Sequence, residues 1–342
     1  MATAILWIFI SISLECDLFT SCPCPQFFKF LVRITGGGPD ASEAENDRSS
    51  RLISYLQLAF GYSLTGVTSE KLIFLLHGPR DNGKSTLLAL VLTLLGPYAV
   101  LLQIESLMAR QQESTNAQAD LADLKGARFV MTSETEDGQR LAEGKLKRIT
   151  QGTGRIKAVR KYENPIEFNE THKLWLDCNF LPVLRGHDEA IWRRLRTIPF
   201  NVIIPLEEQD KQLSTKLLTE AEGILSWAVT GAVEWYQNGL PATIQEIDDL
   251  TKRWRRDADQ IGRFIENCCI TIGNAQVRAS DLYLAYKQWA EESGERAESE
   301  KRFSDRMADR GFVKDEDRTS RIYRGIGLLT TEQQQRRQTN DE

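Results

Sequence analysis

Residues 72–95 read LIFLLHGPRDNGKSTLLALVLTLL, and Gly78 to Ser85 within them follow the spacing G-x-x-x-x-G-K-S. An apolar run of buried-strand length, Leu72 to Leu76, comes first. A helix-like run follows and stops at Gly96-Pro97. Strand, glycine loop and helix in this order make a phosphate cradle, because the glycines let backbone N–H groups close around phosphate oxygens. The helix N-terminus adds partial positive charge at the same point. The candidate loop is Gly78, Pro79, Arg80, Asp81, Asn82, Gly83, Lys84, Ser85 and Thr86. In such a loop Lys84 reaches the β- and γ-phosphates of ATP, and the Ser85 hydroxyl holds Mg²⁺.

Few other folds can carry this loop, so the remaining sequence is read around it. The chain has 342 residues, enough for two or three domains and a sizeable core. Its net charge of −5 gives no overall nucleic-acid signature, so any such contact must come from local patches. The six cysteines include no C-x-x-C pair and no suitably placed histidine. This argues against a disulfide framework or a zinc site and fits a reducing cytoplasm. Ala2 to Leu14 is largely apolar but too short to span a bilayer. No Lys or Arg precedes Lys29, and Cys22-Pro23-Cys24-Pro25 offers no cleavage site, so a signal peptide is disfavoured. Residues 1–23 are read as an atypical start on a cytoplasmic protein, with no membrane partner.

Residues 35–50 are Gly-rich and polar and read as a loop or linker. A short helix is expected from Arg51 to Phe60. Further strands are expected at Ala127 to Ser133, Lys173 to Asp177 and Thr197 to Val202. Strands separated by helical or loop segments imply a mainly parallel α/β sheet. A helix is expected over 212–237. A second helix, at 299–310, precedes a hairpin within Phe312 to Leu328. There Lys301, Arg302, Arg306, Arg321 and Arg324 are set among acidic residues, so either DNA or protein is a candidate partner. The tail 331–342 has the composition of a disordered segment. No internal repeat is present.

Four further groups carry candidate chemistry. The second strand, RFVMTSETEDG, ends in Glu134 and Glu136. A carboxylate at a strand end beside a phosphate loop can hold Mg²⁺ and orient the attacking water, and Glu134 is the first candidate. The third strand ends in Asn179, read either as a sensor of the γ-phosphate or as a turn former before Pro182. Arg193, Arg194 and Arg196 form a basic cluster before the last strand. It is either an arginine finger or a solvated helix end. Residues 147–161 hold six basic residues and no acidic one: Lys147, Arg148, Arg155, Lys157, Arg160 and Lys161. Around Gly152 and Gly154 they read as a β-hairpin, either a solvated charge run or a contact for nucleic-acid phosphates.

The ordered set is phosphate loop, SETE, a basic glycine hairpin ending KYENPIEF, a strand ending in Asn, then RGHDEAIWRRLRTIPF. It resembles the superfamily 3 helicase module of phage and plasmid primase-helicases, relatives of the poxvirus type. The resemblance covers roughly Cys24 to Leu329. It implies an AAA+-like P-loop core at 67–205, a helical segment at 24–66 and a helical, winged-helix-like region at 206–330. It also implies roles: Lys84 and the loop on the nucleotide, Glu134 and Glu136 as the acidic pair, and Asn179 as sensor. Arg194, and next Arg193, match the trans-acting finger. Lys147, Arg155, Lys157, Arg160 and Lys161 match the DNA-contacting motif. Cys178 stands where Thr is usual, and Gly154 is an extra hairpin residue that shifts its register. Residues 1–20 match nothing in the pattern, and no primase segment precedes the core.

The resemblance therefore implies an ATP- and Mg²⁺-dependent helicase that moves 3′ to 5′ on single-stranded DNA as a homo-hexameric ring. The setting is replication of a phage, plasmid or integrated element, with a separately encoded primase as a further partner. Two alternatives stay open: an AAA+ motor that does not act on DNA, and an inactive remnant that only binds DNA.

Overall fold

The computed structural model describes residues 23–109, 121–132, 138–152, 154–160, 163–184, 188–316 and 321–330. The chain separates into two compact units, one through Arg253 and one from Trp254 onward.

The first unit is built on five parallel strands: β1 (Ile73–His77), β2 (Ala99–Leu102), β3 (Phe129–Thr132), β6 (Lys173–Cys178) and β7 (Leu195–Pro199). They lie in the order β2-β3-β6-β1-β7. The central strand β1 pairs with both β6 and β7, Ile73 facing Leu174 on one side and Leu195 on the other. All six residues of β6 are buried, as expected of a strand covered on both faces. Between β3 and β6 come helix α4 (Glu143–Ile149) and a separate antiparallel hairpin, β4 (Arg155–Ala158) with β5 (Ile166–Asn169).

One sheet face is covered by α1 (Pro25–Thr35), α2 (Glu43–Leu64) and α7 (Ala221–Asn238). Trp175 of β6 is the pivot of this packing. Its ring stacks on Phe74 at 4.3 Å and on Phe60 at 4.5 Å, and its indole N–H donates to Ser63 Oγ at 3.0 Å. Helices α2 and α7 meet backbone to backbone at glycines. A Cβ on Gly61 would lie 2.2 Å from Ala232 N, and one on Gly231 would lie 2.1 Å from Gln57 O. No side chain fits between them. Helix α1 begins where Gln26 and Phe27 donate their backbone N–H groups to the Glu220 carboxylate, at 3.0 and 2.9 Å.

Helix α2 starts at Glu43, eight residues before the expected Arg51. A reciprocal capping box explains this: Ser42 Oγ accepts from Glu45 N, and the Glu45 carboxylate accepts from Ser42 N. The polar run read as a linker therefore contains a helix start. The helix expected over 212–237 is two helices, α6 (Leu213–Leu218) and α7.

In the second unit, the elements from Gln260 run helix, strand, strand, helix, helix, strand, strand, strand. They are α9 (Gln260–Cys268), β8 (Cys269–Ile270), β9 (Gln276–Arg278), α10 (Ala279–Glu292), α11 (Glu300–Asp309), β10 (Lys314–Glu316), β11 (Arg321–Arg324) and β12 (Gly327–Leu328). Strand β11 pairs antiparallel with both β10 and β9. The helix and hairpin expected near the end form, with β9 as a third strand. The core is aromatic, with Tyr286 stacked on Phe303 at 4.7 Å and Phe264 and Tyr323 beside them. Among the described residues no helix is long and apolar enough to cross a membrane.

Candidate nucleotide site and arginine edge

Parallel strands place all their C-terminal ends at one edge of the sheet, and the loop after β1 leaves from there into α3 (Lys84–Leu95). Gly83 caps α3 in the left-handed region (φ +84°), and a Cβ there would lie 2.5 Å from Ile34 Cγ2 of α1. Glycine is thus required both by the backbone and by the helix beneath it. Asn82 is 2% exposed and fixes the loop to the sheet through its Nδ2, which donates to Phe200 O at 2.8 Å.

Lys84 is also only 2% exposed. Its ammonium donates to Gly78 O at 2.9 Å, Pro79 O at 2.8 Å, Asn82 Oδ1 at 3.0 Å and Asn179 Oδ1 at 3.1 Å. Two sequence candidates, Lys84 and Asn179, are therefore in direct contact although 95 residues apart. The Ser85 hydroxyl donates to Asp177 Oδ2 at 2.5 Å, and Asp177 Oδ1 is 4.0 Å from the Lys84 ammonium. Asp177 was not singled out in the sequence. The available signal was an acidic residue inside an otherwise apolar strand, LWLDC, where an ionisable group is rarely buried without a task. His77, at the end of β1, is held below its ordinary pKa, first by burial and also by the charge of Lys84.

Beside the loop opens a cleft of about 910 Å³. Phe28, Phe30 and Pro39 line it from the α1 side, Thr86 from α3, and Ile204 and Leu213 from the segment after β7. Apolar walls next to a phosphate cradle suit a flat base and its sugar. A buried lysine, a hydroxyl–carboxylate pair and this cleft fit a magnesium nucleotide. Among the described residues no three His, Cys, Asp or Glu cluster to hold a metal by themselves. Mg²⁺ does not need such a cluster when phosphates complete its shell. Glu134 and Glu136 lie outside the described residues, but β3, the strand leading to them, ends at this same edge.

The arginines occupy the opposite edge. Ile73 N donates to Arg194 O at 2.7 Å, so Arg193 and Arg194 stand beside the start of β1. Gly78 is five residues further along, about 17 Å away at strand rise. The Arg194 side chain is half-buried and points at its own fold, donating to Ala190 O at 2.6 Å and Thr150 O at 3.4 Å. Arg193 is exposed.

The basic run is not one hairpin. Lys147 and Arg148 lie on α4, and Lys147 bonds Asp188. The glycines drew the sequence reading, but Leu146 and Ile149 are buried and set a helical face. Arg155 and Lys157 are exposed on β4, with Lys157 opposite Glu167. Arg160 pairs with Asp123 at 2.6 Å. Lys161 lies outside the described residues. Acidic residues distant in sequence therefore offset part of the positive charge.

Residues 76–194 match the model of a protein family of unknown function (DUF5906), and residues 256–322 match that of poxvirus D5 protein-like proteins. The chain is 28% identical over 264 residues to putative helicase L207/L206 of Acanthamoeba polyphaga mimivirus, covering 71% of this chain and 27% of that protein. It is 23% identical over 244 residues to putative helicase 022R of frog virus 3, covering 66% and 25%. The chain thus spans about a quarter of the length of these curated relatives. In fold it is similar to the apo C-terminal region of NrS-1, with a TM-score of 0.53 at 12% identity, covering 92% of this chain and 79% of that one. By sequence, then, the chain is related to putative helicases of viruses, and its second unit carries the poxvirus D5-like part of that relationship.

Proposed function

We propose that the chain is an ATP-dependent DNA helicase of the superfamily 3 type, moving 3′ to 5′ on single-stranded DNA in the replication of a mobile element. The observation that carries the nucleotide part is the meeting of Lys84, Ser85, Asp177 and Asn179 at one end of a parallel sheet. In this reading the loop amides and Lys84 hold the β- and γ-phosphates. Ser85, Asp177 and Glu134 would hold Mg²⁺, and Glu136 is the second acidic candidate. Asn179 senses the γ-phosphate through its contact with Lys84. Bound Mg²⁺ would supply neutralising charge to the phosphates.

The arginine edge supports a ring. Arg193 is exposed and stands about 17 Å from its own phosphate loop. It is therefore suited to a neighbour's nucleotide rather than its own, and a closed homo-hexamer supplies that neighbour. Arg194, ranked first from the sequence, serves the local fold through Ala190 and Thr150, so Arg193 is the better finger. Arg155, Lys157, Arg160 and Lys161 would contact DNA phosphates, with Lys147 set back on its helix. Within the second unit, α9, β9, α10, α11, β10 and β11 follow as helix, strand, two helices and two strands, and with β9 paired to β11 this supports a winged-helix reading. Lys301, Arg302, Arg321 and Arg324 are exposed there, but Arg324 pairs with Asp315 and Arg306 with Glu298, both at 2.8 Å. A separately encoded primase remains a proposed partner.

A second reading, an AAA+ motor that does not act on DNA, is favoured by one observation: Asp123, Glu167 and Asp188 offset the basic residues. ATPase activity with and without a thymidine 30-mer, and the mass with a non-hydrolysable ATP analogue, decide between them. The helicase reading expects stimulation and a six-subunit mass. ATPase that ignores the oligonucleotide supports the second reading.

A further inference from the structure

The hairpin and the arginine edge are joined by a buried carboxylate that neither the phosphate loop nor the DNA contacts use. Glu170 follows β5 directly and is 7% exposed. Its Oε2 accepts from Gly152 N at 3.1 Å, the nearby Gln151 amide helps hold its charge, and its own N–H donates to Gly154 O at 3.2 Å. Both strands of the hairpin are thereby closed at their base. Gly152 is held from the other side as well, since Thr68 Oγ1 donates to Gly152 O at 2.9 Å. Gly152 sits at φ +87°, and a Cβ there would lie 2.8 Å from Thr68 O and from Lys71 Cε, so this turn has one tight seat. The residue before the Glu170-bound pair is Thr150, whose carbonyl accepts from Arg194.

We propose that Glu170 is a positioning residue that locks the hairpin base to the arginine edge, so that DNA held by the hairpin changes the placement of Arg193 and Arg194. The claim rests on the motor reading above. Its logic is mechanical: through the Gly152 amide and the Gly154 carbonyl, Glu170 ties the start of β4 to the end of β5. A push on Arg155 or Lys157 therefore reaches Thr150 and, through it, Arg194. The carboxylate form makes this lock, because a charged oxygen accepts from the Gly152 amide more strongly than a neutral acid does. The charged and titratable groups that face it are Lys173, Arg194 and the Tyr62 phenol. Burial raises the Glu170 carboxyl to about 7, against the lowering effect of the Gly152 and Gln151 amides, Lys173 and Arg194. The lock therefore tightens as pH rises through about 7.

The test uses the full chain and a thymidine 30-mer. Glu170→Gln keeps the shape and removes the charge. It is expected to leave 30-mer affinity and DNA-free ATPase within about twofold of wild type, and to lose at least about fivefold of the DNA stimulation. Stimulation in the wild type should rise between pH 6 and pH 8 and stay flat in Glu170→Gln. Thr68→Val releases the opposite side of Gly152 without touching Glu170. It should lower stimulation in the same direction, and both variants should speed hydrogen exchange at the Gln151 and Gly152 amides. Full stimulation with the wild-type pH profile in Glu170→Gln overturns the lock while leaving the helicase reading intact. A wild-type ATPase without DNA stimulation overturns the helicase reading, and the lock with it.

Discussion

The two edges of the central sheet are built differently. At the C-terminal edge the functional groups are buried and bonded to one another: Lys84 has four oxygen partners and Ser85 is seated on Asp177. At the N-terminal edge, Arg193, Arg155 and Lys157 are exposed. The described groups of the first edge bond to one another within one chain. In the proposed reading the second meets partners: a neighbour's phosphates for Arg193 and a DNA backbone for the hairpin. A preorganised site and an edge that waits for partners respond to substitution in different ways, and the predictions follow from that.

The largest effect is expected from Arg193→Ala. It should bind ATP normally and lose turnover by up to about 10³-fold, with no change in melting temperature. Arg194→Ala should instead lower stability by about 1–3 kcal/mol, because two partly buried carbonyls lose a charged donor. Equal melting temperatures and a larger turnover loss in Arg194→Ala would reverse this assignment.

A pH effect comes next. His172, at the arginine edge, is 2% exposed, and burial with the nearby Lys173 charge lowers its pKa to about 4. A base with a depressed native pKa binds fewer protons folded than unfolded. Its stability contribution is therefore whole above about 6.5 and is lost as pH falls toward about 4, up to about 3 kcal/mol. Urea melts at pH 7 and pH 4.5 should show the loss, and His172→Phe should remove part of it. An identical pH dependence in that variant would mean that the imidazole takes up protons equally in the folded and unfolded states.

At the preorganised edge, Asp177→Asn keeps the shape and turns an acceptor into a partial donor toward Ser85. Hydrolysis should fall about 10- to 100-fold, with a matching loss of Mg²⁺ affinity for the bound nucleotide. Unchanged Mg²⁺ dependence would leave Asp177 as packing alone. The smallest effect is at the hairpin. Arg155→Ala with Lys157→Ala should reduce the salt slope of single-stranded DNA binding by about 0.7 per lost contact, with DNA-free ATPase intact. An unchanged slope would make these residues a solvated surface.

The same contrast explains what the sequence made legible. The phosphate loop is contiguous, so its spacing and flanks name it before any tertiary contact is known. The parallel sheet follows from apolar runs at strand length. Asn179 was visible at a strand end, but its contact with Lys84 was not. Asp177 was hidden because a buried carboxylate reads as an interruption of a strand until its partner is located. At the other edge the neutralising groups Asp123, Asp188 and Glu167 come from three separate segments, so a local charge count overstated the basic patch. The capping box at Ser42 and Glu45 was masked by the glycines before it. The division of labour between Arg193 and Arg194 depends on the backbone carbonyl of Thr150, which no residue pattern encodes.

The central claim is that the arginine edge of one subunit completes the nucleotide edge of the next. Lys84→Ala and Arg193→Ala should each be inactive alone. The first lacks the phosphate lysine but keeps its finger, and the second keeps its loop but lacks the finger. Mixed in equal amounts, they should place an intact loop against an intact finger at about one interface in four, if subunits assort at random in a closed ring. The measurement is the ATPase rate of that mixture, at a protein concentration where a non-hydrolysable analogue gives a six-subunit mass. Recovery toward a quarter of the wild-type rate is the predicted result. A mixture as inactive as its components, in rings of confirmed mass, would contradict the account.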